Sequence, residues 1–143
     1  MISSADGRPV LGLDALQQWL LDRHPAGVFC CTTRSDPGLL DVLVSTGVPV
    51  DQVEIRTGDG PAVVDRAFRC DVRVRPVQAS VARALLGELP SDFVMVDNVE
   101  VIRLAYDDHD RLVVGFVEPD SATDRYRLAR DVLWVAGLQD ASE

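Results

Sequence analysis

Phe93-Val94-Met95-Val96-Asp97-Asn98-Val99-Glu100-Val101-Ile102-Arg103-Leu104-Ala105-Tyr106 opens the part of the chain that decides the fold. Asp107-Asp108-His109-Asp110 follows it, and Leu112-Val113-Val114-Gly115-Phe116-Val117 comes next. Three apolar runs, Phe93 to Val96, Val99 to Tyr106 and Leu112 to Val117, are separated only by Asp and Asn-rich turns. This spacing predicts three successive antiparallel strands in a meander. Strands of a purely parallel sheet would need crossovers of a dozen residues or more between them.

Upstream of this stretch the style differs. Leu13, Leu16 and Leu20 recur at helical spacing beside Trp19, and His24-Pro25 closes that helix. Gly27 to Thr32 reads as a strand apolar on both faces, suited to a position between covering helices. Ser35-Asp36-Pro37 is a helix start, Leu39, Leu40, Leu43 and Val44 are its buried stripe, and Gly47 with Pro49 ends it. Val53 to Arg56 and Asp71 to Arg75 alternate as short strands, with Val72 and Val74 on one face and Arg73 and Arg75 on the other. Gly58-Asp59-Gly60-Pro61 reads as a turn, Pro61 to Arg69 as a short helix, and Ser80 to Leu86 as a helix stopped by Gly87 and Pro90. A last helix is predicted from about Ser121 to Ala136, burying Tyr126, Ala129, Leu133 and Ala136 and flanked by Leu128, Val132 and Val135. The fold class is therefore α/β: a single-domain mixed sheet, parallel in its first half and meandering in its second, with helices on its faces. Residues 1–10 are expected to be a flexible tail and residues 11–143 one domain.

The chain has 143 residues, a size that buries enough surface for one core. Its apolar fraction of 47% excludes a disordered chain. No apolar run approaches the ~18 residues needed to span a membrane, and Met1 to Val10 carries no secretion-signal pattern. Three Cys are too few for a disulfide framework, which points to a reducing, cytoplasmic setting. The formal charge is −9, and all 14 basic residues are Arg. Residues 1–87 carry a net of −1, and residues 88–143 a net of −8. An acidic chain is a poor nucleic-acid binder. The locally basic stretch 65–83, with Arg66, Arg69, Arg73, Arg75 and Arg83, is its one plausible anion-facing surface.

No set of residues collects into a catalytic pattern. Asp107-Asp108-His109-Asp110 holds metal-ligand types, but four consecutive turn residues cannot all point at one ion, so a solvated hairpin turn is expected and no metal. Cys30 and Cys31 face opposite sides of one strand, and Cys70 stands alone, which suits buried apolar packing rather than reactive thiols. Arg69, Arg73 and Arg75 could hold an anion through charge-assisted hydrogen bonds, or pair with the acidic last third. No phosphate-cradling glycine loop is present, and no cofactor is implied.

The segment from Pro90 through Ile102 resembles one region of the phospholipase D-like superfamily. There a strand carries His-x-Lys-x-x-x-x-Asp, and its Asp opens a hairpin; further strands and a C-terminal helix follow. Phe93 to Val96 and Asp97 match the strand and its Asp, Val99 to Tyr106 the hairpin, and Tyr126 to Ala136 with Leu133-Trp134 the closing helix. Counting back from Asp97 puts Pro90 where the resemblance would place a catalytic His and Asp92 where it would place a phosphate-binding Lys. The resemblance thus implies the fold without the enzyme. Related degenerate domains accompany bacterial regulators as sensing or dimerising modules. Active members set two copies of the motif face to face, so a single-copy domain implies self-pairing.

The expected function is non-catalytic: a protein-interaction or dimerisation module, as a homodimer or as the partner of a regulatory protein. A small-ligand sensor with an apolar pocket lined by Phe93, Phe116 and Trp134 is the first alternative. A phosphodiesterase-type enzyme using Arg73, Arg75 and the acidic turn is the second.

Overall fold

In a computed structural model the structure describes residues 8–33, 37–57, 72–88 and 91–141. Among the described residues seven strands form one mixed sheet: β1 (Arg8–Leu11), β2 (Val28–Thr32), β3 (Val50–Arg56), β4 (Val72–Gln78), β5 (Phe93–Val96), β6 (Glu100–Tyr106) and β7 (Leu112–Val117). Their spatial order is β1-β7-β6-β5-β2-β3-β4. The pairs β2–β3 and β3–β4 are parallel, and every other neighbouring pair is antiparallel. A parallel first half and a meandering second half are thus both present. The helices are α1 (Gly12–Asp22), α2 (Pro37–Val44), α3 (Ala79–Leu86) and α4 (Thr123–Ala141), the last entered through a short 3₁₀ turn at Asp120–Ala122.

Alternation along the strands divides the core into two layers. On one face, Leu16, Trp19 and Leu20 of α1 and Leu39, Leu40 and Leu43 of α2 pack on Val28, Cys30, Val50, Val94, Ile102 and Val117. On the other, Tyr126, Leu133 and Ala136 of α4 and Ala82 of α3 pack on Phe29, Cys31, Val53, Val77, Phe93 and Met95. β2 and β5 are buried on both faces, as the unbroken apolar runs predict.

Four boundaries differ from the sequence reading. The loose tail expected over residues 1–10 is a strand from Arg8 onward, hydrogen-bonded to β7 at the sheet edge; residues 1–7 lie outside the described residues. An edge strand pairs on one side only, so Pro9 is tolerated there and the propensity signal is weak. β4 continues past Arg75 through Pro76 to Gln78 for the same reason: it is the opposite edge, and the missing N–H of Pro76 costs it no ladder bond there. β3 begins at Val50, three residues before the alternation starts. The final helix runs on to Ala141, with Tyr126, Ala129, Leu133 and Ala136 buried as expected but Leu128 and Val135 facing solvent, 61% and 55% exposed. The short helix expected at Pro61–Arg69, the turn at Gly58–Pro61 and the cap at Ser35-Asp36 lie outside the described residues.

Tight geometry marks the turns. Asp97 and Asn98 both have positive φ, 53° and 63°, which makes the β5–β6 connection a two-residue hairpin turn of the type whose twist matches the strands. Gly87 closes α3 at φ 85°, its N–H donating to the Arg83 carbonyl at 2.8 Å.

Candidate functional site

The residues singled out by sequence do not converge. Arg73 donates two hydrogen bonds to the Asp51 carboxylate, both at 2.8 Å. Arg75 donates to the Trp134 carbonyl at 2.8 Å and lies 3.7 Å over its indole ring. Arg73 therefore pairs within the first half of the chain, and Arg75 docks on the last helix through backbone and ring rather than through an acid. Arg69 lies outside the described residues, as do Arg66 and Cys70. The acidic turn sits at the end of β6, four strand positions from β4, so about 20 Å of sheet separates it from Arg73 and Arg75. The phosphodiesterase arrangement is not assembled. Within the turn, the Asp107 carboxylate accepts from the backbone N–H groups of His109 at 2.8 Å and Arg111 at 3.0 Å. Those bonds hold its pKa below the ordinary aspartate value. Among the described residues no group of three His, Cys, Asp or Glu side chains could share a metal ion.

The three aromatics expected to line one pocket belong to two places. Phe93 is fully buried, 5.8 Å from Phe29 and 4.8 Å edge-on to Tyr126, and Phe29 in turn meets Trp134 at 6.3 Å. Phe116 lies apart, under the Arg103 guanidinium at 4.8 Å.

Asp92 and Asp97 are both structural pins. Asp92 is 6% exposed. Its carboxylate accepts from the Thr33 backbone N–H at 2.9 and 3.0 Å and from the Thr33 hydroxyl at 2.7 Å, tying the end of β2 to the start of β5. Asp97 Oδ1 accepts from the N–H groups of Ala26 and Gly27 at 2.9 and 3.0 Å, tying the entry of β2 to the β5–β6 turn. Pro90 lies outside the described residues. Cys31 is buried beside Asp92; burial first, then the charges of Asp92 and Cys30, push its thiol well above the usual range, so it is held protonated.

Two features remain that sequence reasoning missed. The first is the outer face of β6, β7 and β1. Register places Arg103, Phe116 and Pro9 in one row across these strands and Ala105, Val114 and Leu11 in the next, all on the α4 side. α4 packs on β4, β3 and β6, and α3 on β4 and β3, whereas α1 covers β7 and β1 from the opposite face. Leu11 is consequently 70% exposed. The sequence carries no local signal for this face, because Leu112 to Val117 is a continuous apolar run and β1 falls in the expected tail. The second feature is a cavity of about 710 Å³ between this face and α4, lined by Arg103, Glu118, Arg125, Tyr126, Leu128 and Ala129 from the sheet and helix and by Leu86, Glu88 and Ser91 from the connection into β5. Arg103 and Glu118 are bonded there at 3.0 Å.

The fold and these surfaces define a single α/β domain with a seven-stranded mixed sheet. No protein-family model matches this chain, and no curated protein matches it in sequence. No described helix is long and apolar enough to cross a membrane.

Proposed function

We propose that the chain is a catalytically silent α/β domain of the phospholipase D-like kind that works by association, pairing with a second copy through the outer face of β6, β7 and β1. The observation that carries this reading is the apolar grid of Pro9, Leu11, Ala105, Val114 and Phe116 on a sheet face whose β7 and β1 part no described helix covers. Contiguous apolar surface on a soluble domain marks an interaction site more often than chance.

Three further points support it. Arg103 and Glu118 sit side by side at the rim, so the face carries both signs and is complementary to itself under a two-fold axis. Among the described strands both sheet edges are blunted, β1 by Pro9 and β4 by Arg73 and Pro76, which argues for face-to-face rather than edge-to-edge pairing. β5, the strand that carries the resemblance, is buried on both sides, so two copies would not meet through residues 93–96. The catalytically silent part of the reading rests on Asp92, whose carboxylate points inward onto Thr33 where the resemblance would put a phosphate-binding Lys.

Light scattering at tens of micromolar tests it. A dimer is expected, and Leu11→Asp should convert it to a monomer with unchanged circular dichroism, because Leu11 is exposed in the single chain. A wild-type chain that stays monomeric at that concentration overturns the pairing.

A further inference from the structure

Few contacts hold β1 to the rest of the molecule. Among the described strands it pairs with β7 alone, through the four residues Arg8 to Leu11. Val10 is buried in the α1 layer of the core, whereas Pro9 and Leu11 are exposed. No loop separates β1 from α1. Leu11 ends the strand and stands at the N-cap of the helix, with an extended backbone and no side-chain bond to the first turn. Gly12 makes the change of direction by itself, at φ 79°. The helix after it is anchored: Leu16, Trp19 and Leu20 are buried in the core.

The hinge is set by backbone conformation and not by packing. A Cβ built at Gly12 meets no atom within 4 Å, and an open cleft of about 350 Å³ lies beside it, between Leu13 and Asp14 on one side and Arg111 and Leu112 on the other. The left-handed region is one that glycine enters without strain and other L-residues do not. Short, tight hinges of this kind favour exchange of an element between identical chains. A β1 that leaves its own β7 and takes the same place on the β7 of a second copy regains every ladder bond and the burial of Val10. The closed and exchanged forms then differ in the hinge and in the cost of association.

We infer that β1 is an exchangeable strap: in the paired form, β1 of each copy leaves its own β7 and completes the sheet of the other, in the register that runs from Arg8–Val117 to Leu11–Val114. This rests on the pairing through β6, β7 and β1, which brings the two β7 strands together, and it adds that the paired chains interlock.

Arg8→Cys and Val117→Cys combined in one chain test it. The two positions are ladder partners, within disulfide reach. Val117 belongs to the α1 layer, on the opposite side of the sheet from the pairing face, so stacked faces alone do not join the two thiols. Oxidation links residues within a chain where β1 is at home, and between chains where it is exchanged; a non-reducing gel reads the two products. Each single-cysteine variant supplies the background from the native thiols. Interchain product that grows with the protein concentration before oxidation is expected. Adding Gly12→Ala should raise the ratio of interchain to intrachain product about tenfold, because alanine strains the closed hinge without touching a neighbour. Intrachain product alone in the Gly12→Ala background overturns the strap. Light scattering on the same samples separates that result from a failure of pairing: a dimer with only intrachain links overturns the strap and leaves the pairing standing, whereas a monomer overturns both. A second measurement needs no new cysteine. After dilution the Gly12→Ala dimer should dissociate more slowly than the wild-type dimer, since more of it is interlocked; equal rates overturn the strap.

Discussion

Asp97 holds a left-handed backbone, φ 53°, while its carboxylate takes the N–H groups of Ala26 and Gly27. Asp97→Ala should cost about 1–3 kcal/mol, since it leaves two amides without their acceptor and removes the short polar side chain that tolerates the left-handed region; Asp97→Asn, which keeps an acceptor and tolerates that region, should recover most of it. Urea midpoints at constant m-value measure both. Asp92→Ala should also destabilise, because it removes the buried carboxylate that takes both the Thr33 amide and the Thr33 hydroxyl and ties β2 to β5. Asp107 gives a pH-dependent case. Its folded pKa is lowered by the Arg111 amide first and the His109 amide second, so its contribution to the β6–β7 turn is present at neutral pH and is lost as pH falls through that lowered value. NMR titration of the His109 and Arg111 amide shifts should show a midpoint below the ordinary aspartate value, and Asp107→Asn should abolish the titration. At this scale the sequence was informative about type but not partner. A lone acid in a turn reads as a turn residue, whether its oxygen meets water or, as at Asp97, an amide 70 residues away.

Two close approaches set how the elements pack. A Cβ built at Gly115 on β7 would lie 2.6 and 2.8 Å from Cδ1 and Cγ1 of the buried Ile102 on β6. A Cβ at Gly137 on α4 would lie 2.7 Å from the Arg75 Cβ on β4. Both alanine variants should destabilise by about 1–3 kcal/mol through overpacking. They differ in rescue: Ile102→Val removes the offending Cδ1 and should offset part of Gly115→Ala in a double-mutant cycle, whereas the Arg75 Cβ is fixed to the backbone, so α4 must lift from β4. Thermal midpoints of the four single and double variants decide this. The helices and central strands were legible because their periodicity is strong: Leu16, Leu20 and Leu43 lie where helical spacing puts them, and Phe93 to Val96 where an apolar run puts a central strand. The edges were not. Pro9 and Pro76 interrupt the pattern where one-sided hydrogen bonding makes interruption harmless.

Across the whole molecule, a net charge of −9 repels itself. Adding NaCl at neutral pH should therefore raise the thermal midpoint; a fall would mean that exposed pairs such as Arg73–Asp51 outweigh the repulsion. The division of charge along the chain was readable in advance. The surfaces were not, since both the face that no described helix covers and the cavity arise where β1 joins β7 and where α4 stops short of covering them, facts of long-range pairing that local patterns do not carry. That same pairing bears on how the molecule is made. β1 precedes every other described strand along the chain, yet its partner among them, β7, ends at Val117. At roughly 5–20 residues per second the roughly 100 intervening residues take about 5–20 s to follow, and through that interval Leu11 and Val10 have no strand to pair with. The sheet cannot close from its beginning; it must wait for its end.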